Sequence, residues 1–184
     1  ALTIAGSLTA WRLWAGYLPD PRRADTQGLM RWLVLVELTD EPRDRQILLV
    51  DRFESVLREQ NELGGDAAGL SEPYRERLQR NTALLKRVWF ESRVERYTAL
   101  PNAERFDYLS AQIQTVMVWS QLDISSDRAV RPVGSLDVSH AATMRFFSDM
   151  ERWIAEADQE AAARMQQAVR DGLTCWLATS SLAD

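Results

Sequence analysis

Apolar positions recur three and four residues apart through most of this chain, and no run alternates strictly enough to argue a strand. That period belongs to helices. The opening stretch, ALTIAGSLTAWRLWAGYLPDP, is mostly apolar with Arg12 as its one charge, and Pro19 and Pro21 break the chain at its end. A helix restarts at Asp25 or Thr26, both good N-cap residues. Its core, LMRWLVLVEL, is apolar nearly all round, which predicts a short central helix. Thr39-Asp40-Glu41-Pro42 sets the next start: a capping side chain, an acid near the helix N-terminus, and a Pro in the first turn, where its missing N–H costs nothing. This helix is expected to reach about Leu63, with Leu49, Val50, Phe53, Val56 and Leu57 on one face and Glu54 and Arg58 as an outward i,i+4 pair.

NELGGDAAGLSEP reads as the first strong loop, and Ser71 and Pro73 open the longest helix, ending near Ala99. That helix carries two apolar stripes, one of Tyr74, Leu78, Leu85, Val88 and Trp89 and another of Phe90, Val94 and Tyr97, so it is expected to lie between neighbours. Leu100-Pro101-Asn102 turns the chain into a helix from about Ala103 to Leu122, with Phe106, Leu109, Ile113, Val116 and Met117 facing inward. Residues 123–138 show no clear period and read as a long connection, uncommon in compact domains unless it covers something. A final long helix, capped by Asp137 or Ser139, carries Phe146, Phe147, Met150, Trp153, Ile154, Ala157, Ala161 and Met165. It is expected to end at Gly172, with the apolar tail folding back. The fold class is therefore all-α: a single-domain helical bundle of about five to seven helices spanning residues 1–184.

Composition agrees with a folded chain of this kind: 46% hydrophobic and 27% charged residues in 184 suit one globular core. The net charge of -5 argues against a surface built for nucleic acid or an anionic membrane. Cys175 and His140 are each the only residue of their type, which excludes an internal disulfide framework and a Cys/His zinc site within one chain. Cys175 reads as a small buried hydrophobe. Of the 22 basic residues 21 are Arg, which could reflect interface ion pairs but reads first as a bland codon-usage bias.

Candidate chemistry is sparse. Gly64-Gly65-Asp66-Ala67-Ala68-Gly69-Leu70-Ser71 spaces its glycines as a phosphate-binding loop does, but Leu70 stands where Lys is needed and a helix precedes it, so that reading fails. Ser139 beside His140 reads as a cap rather than a nucleophile. Glu91 and Glu95 share a helix face among Arg87, Arg93 and Arg96, as a solvated ion-pair face rather than a di-metal site, which would need more His. Asn81 falls where the stripe asks for an apolar residue and must find hydrogen bonds, either as a satisfied core amide that sets register or as a ligand contact. Arg75, Lys86 and Arg93 nearly align on the helical wheel as a faint basic stripe.

The leading expectation is a non-enzymatic interaction or scaffold module without metal or cofactor. Its contact surface for a protein partner, a second copy or lipid would be the Trp-rich opening, with Trp11, Arg12, Trp14 and Tyr17 as the contact residues. If the chain continues upstream of Ala1, the same residues would sit at a membrane interface and place the domain on the cytoplasmic side; the rival is an ordinary amphipathic first helix. One alternative is a small-molecule binder or enzyme with a cleft between the long helices under the 123–138 connection, formed by Asn81, Glu95 and His140. Another is nucleic-acid binding through the Arg-rich helix 75–96, for which the net charge is poorly suited.

Overall fold

The computed structural model describes residues 18–60, 70–121 and 140–180. Among them the chain is all-α: helices α1 (Thr26–Leu35), α2 (Arg43–Gln60), α3 (Glu72–Ala99), α4 (Asn102–Gln121), α5 (His140–Glu156) and α6 (Gln159–Ser180), with short 3-10 turns at Pro21–Arg23 and Leu38–Asp40. Two compact units divide them. α3 gives its residues up to Leu85 to the first unit and those from Lys86 onward to the second.

In the first unit, Asp20 accepts from the Arg22 amide and starts the 3-10 turn, and Asp25, in extended conformation, accepts from the Gly28 amide at 2.8 Å and caps α1. Gly28 is required there, because a Cβ at this position would lie 2.7 Å from Cγ of Pro19. The same proline's carbonyl accepts from the Trp32 indole at 2.9 Å. α1 stops at Leu35, short of the expected Leu38, because Val36 turns extended. Pro42 supplies the carbonyl that starts α2, accepting from the amides of Arg45 and Gln46. The core is built from Leu29, Trp32, Leu33, Leu38, Leu49, Val50, Phe53, Val56 and Leu78. Glu54 is buried too, at 7% exposure, rather than outward as expected: it lies four residues past Val50 and shares the buried face.

What joins α3 to α1 is polar. The last four carbonyls of a helix have no intrahelical partner, and here each receives one. The Val36 amide bonds back to Trp32, Asn81 Nδ2 donates to Leu33 and to Val36 beyond it, and Arg77 donates to Val34 and Leu35. Asn81 Oδ1 also accepts from the Leu38 amide, while Gln46 donates to the Leu38 and Glu41 carbonyls. Arg77 and Arg80 converge on Glu37 at 3.6 and 3.2 Å.

The second unit packs around aromatic rings. Trp89 stacks on Trp119 with centroids 5.9 Å apart and meets Phe146 at 6.0 Å. Phe146 in turn meets Trp153 edge-on. Such pairs contribute about 0.5 to 1.5 kcal/mol each beyond area burial. On α4 Phe106 departs from the expected inner face at 52% exposure, while Leu109, Ile113 and Val116 keep it, half-buried; among the described residues of α4, Thr115 and Trp119 are the fully buried ones. Thr115 and Trp119 are one turn apart, so the most deeply buried ridge runs beside the apolar one. The single final helix is also corrected. It breaks at Ala157–Asp158, where Asp158 accepts from the Ala161 amide and caps α6. Gly172 lies inside α6 rather than ending it, and the stretch read as a folded-back tail continues the same helix to Ser180.

Candidate functional site

The four helical segments of the second unit leave a cavity of about 240 Å³. Each contributes residues at helical spacing: Trp89, Arg93 and Tyr97 on α3, Leu109, Ile113 and Val116 on α4, Phe147 and Met150 on α5. On α6 the lining includes Ala168 and Gly172, one turn apart. Their small size keeps the space open, since even a Cβ at Gly172 would approach nothing closer than Leu109 Cδ2 at 4.0 Å. Leu173 and Trp176 line the cavity while remaining 40% and 46% exposed, which places them at its mouth. Leu177, 68% exposed, follows directly on α6.

Polar groups in this apolar wall are few. Among the described residues Arg93 is the charged one in the lining. The Trp89 indole N–H and Gln112 Oε1 are buried without a hydrogen-bond partner. The Tyr108 hydroxyl donates to the Arg93 carbonyl at 3.3 Å and ties α4 to α3 at this level. The Tyr97 hydroxyl donates to Asp171, and the Arg105 guanidinium lies 5.0 Å from the centre of its ring. Burial, reinforced by the hydrogen bond to Asp171 and its charge, pushes the Tyr97 phenol up from its ordinary range. Burial also raises the Cys175 thiol, with Asp107 adding to it, so this sulfur stays protonated; it points at the Phe106 carbonyl, 3.8 Å away.

The contact residues expected in the opening stretch, Trp11, Arg12, Trp14 and Tyr17, lie outside the described residues. Asn81 belongs to the first unit, where it is fully buried and saturated by backbone. Glu95 is exposed and does not line the cavity. The backbone of His140 opens α5, three residues before the lining residue Thr143. Of the basic stripe, Lys86 is buried with its ammonium 5.8 Å from the Phe146 ring centre, Arg75 donates to the Leu70 carbonyl, and Arg93 lines the cavity. Glu91 pairs with Arg87 at 2.8 Å, and Arg87 also reaches Glu156 at 2.6 Å. The cleft expected between the long helices named Asn81, Glu95 and His140, not the residues that line this cavity. Its one signal was a Gly four residues after an Ala on an otherwise apolar face.

No protein-family model matches this chain, and neither a curated protein nor a solved structure shows significant similarity to it. Among the described residues no group of three or more His, Cys, Asp and Glu could hold a metal ion, and no helix is long and apolar enough to cross a membrane.

Proposed function

We propose that this protein is a binding module whose second unit takes up a small, largely apolar molecule. The observation that carries the reading is the 240 Å³ apolar cavity opening between Leu173 and Trp176. A dry apolar cavity of about 150 Å³ accepts a benzene ring, so this one has room for a larger body. Binding without chemistry suits the lining. Among the described lining residues there is no carboxylate, thiol or imidazole, and burial moves the Tyr97 phenol further from neutrality.

The test is uptake of apolar probes by the full chain, followed through tryptophan fluorescence, since Trp89 and Trp176 line the cavity. Gly172→Leu fills the space and should abolish uptake, while Gly172→Ala should retain it. Equal uptake by the leucine variant and the unmodified protein would refute the reading. A second reading, an apolar contact with a protein partner or another copy, is favoured by Leu173, Trp176 and Leu177 together on the outer surface of α6. It predicts concentration-dependent mass in solution that Leu177→Asp removes.

A further inference from the structure

Resting on the cavity reading, we infer that the molecule taken up is a single unbranched alkyl chain of medium length, laid lengthwise between the helices with its polar end in water at the mouth. The cavity is long for its volume. Its lining runs from Trp89 to Tyr97 on α3, from Tyr108 to Val116 on α4 and from Ala168 to Trp176 on α6, each two turns and a rise of about 12 Å. Leu109 stands against Gly172, and the Phe106 carbonyl, just before it on α4, meets Cys175, just after Gly172 on α6. These two helices therefore pass antiparallel, and their linings overlap along one axis. α3 follows the same axis: Tyr97 donates to Asp171 at the Gly172 end, and the Trp89 ring stacks on Trp119 toward the other.

A volume of about 240 Å³ drawn out over about 12 Å has a mean section of about 20 Å², close to that of one extended hydrocarbon chain. A compact body of equal volume would have to part the helices, which close packing resists. The polar groups of the lining also suit a tail better than a head. The hydroxyls of Tyr97 and Tyr108 donate to Asp171 and to the Arg93 carbonyl, and Arg93 is itself engaged within the protein. A head group carried inside would give up its water to meet side chains that already have partners, which is costly. At the mouth, between the exposed Leu173 and Trp176, it keeps that water.

The experiment is calorimetric titration of the full chain with the straight 1-alkanols from butanol to dodecanol and with adamantan-1-ol, whose carbons are packed into a ball. Affinity should climb about three- to four-fold with each methylene while the tail is still entering the slot. It should level off at about nine carbons, where the extended chain reaches about 12 Å. Adamantan-1-ol should bind about ten-fold or more weaker than 1-decanol, because it overpacks a slim site. In a Val116→Phe protein that keeps its helical circular dichroism, the inner end of the slot is filled, so the plateau should come about two carbons earlier while shorter alcohols bind as before. A climb unbroken to dodecanol, or adamantan-1-ol binding as tightly as 1-decanol, would overturn the alkyl-chain inference; loss of that binding in Gly172→Leu would leave the cavity reading standing. Failure of every probe to bind would overturn both.

Discussion

The side-chain amide of Asn81 donates to the carbonyl of Leu33 at 2.7 Å, from a position with no solvent exposure. The apolar pattern of α3 invites a leucine at this place, between Leu78 and Leu85. The structure gives the opposite expectation, because the same amide also holds the Val36 carbonyl and the Leu38 amide. Asn81→Leu leaves these backbone groups without their partner in a buried setting and should cost about 3 kcal/mol or more. Asn81→Asp should be no better, since it turns a donor into an acceptor facing two carbonyls. Urea unfolding followed by circular dichroism measures both, and a leucine variant as stable as the unmodified protein would count against this account.

Much of the fold was legible because local signals and period agreed. Asp25, Pro42 and Ser71 each mark a helix start that the structure keeps, and the stripes of α3 are buried as expected apart from the half-buried Tyr74. The errors share a cause: periodicity reports an apolar face but not its continuity or its neighbour. The stripe from Phe146 to Met165 runs across the break at Asp158, since two helices packed in one unit can carry one pattern, and only the capping acid marks the division. Phe106 belongs to its stripe in sequence but lies in water. The cavity was illegible for a related reason. Leu109, Ile113, Phe147 and Met150 look the same in sequence whether they face another side chain or a space.

Two helical glycines should respond to alanine with opposite sign. At Gly28 the new methyl would meet the Pro19 ring at 2.7 Å and Ala24 Cβ at 3.1 Å. A proline ring cannot rotate away, so overpacking should outweigh the gain in helix propensity, with a net loss of about 1 to 2 kcal/mol. At Gly172, Leu109 Cδ2 stands at an ordinary 4.0 Å. Gly172→Ala should therefore gain about 0.5 to 1 kcal/mol. Thermal melts of the two variants beside the unmodified chain decide the matter, and a shift of the same sign in both would contradict the local geometry.

Alkaline pH should weaken the second unit in a predictable order. The Cys175 thiol and the Tyr97 phenol are both raised by burial from ordinary values of 9.0 and 10.0. Below these values both groups are neutral whether the chain is folded or not, and folding keeps its full advantage. As pH rises past about 9 and then 10, the unfolded chain loses its protons first, so stability falls until the folded groups ionise as well. Denaturant midpoints should be insensitive to these groups at neutrality and drop above about pH 9. Tyr97→Phe removes the bond to Asp171, lowers stability at neutral pH by about 1 kcal/mol, and makes the fall above pH 10 shallower. A midpoint that rises with alkalinity in the unmodified protein would contradict the assignment.

Trp176 separates stability from binding most cleanly. Its ring lines the cavity yet is nearly half exposed, on a turn of α6 that also holds the buried Cys175. Trp176→Gln gives up contact at the mouth but opens no enclosed void, so its stability should stay within about 1 kcal/mol of the unmodified chain. Uptake of an apolar probe should weaken several-fold, because the mouth loses an aromatic wall and admits water. Met150, by contrast, is 5% exposed and packs in the core while lining the same space. Met150→Ala should cost about 2 kcal/mol or more and enlarge the cavity, so it should bind bulkier probes better than the unmodified protein does. The pair is read by parallel melts and fluorescence titrations. If both variants lost stability alike and neither altered probe selectivity, the cavity would be a packing feature of the second unit with no part in binding.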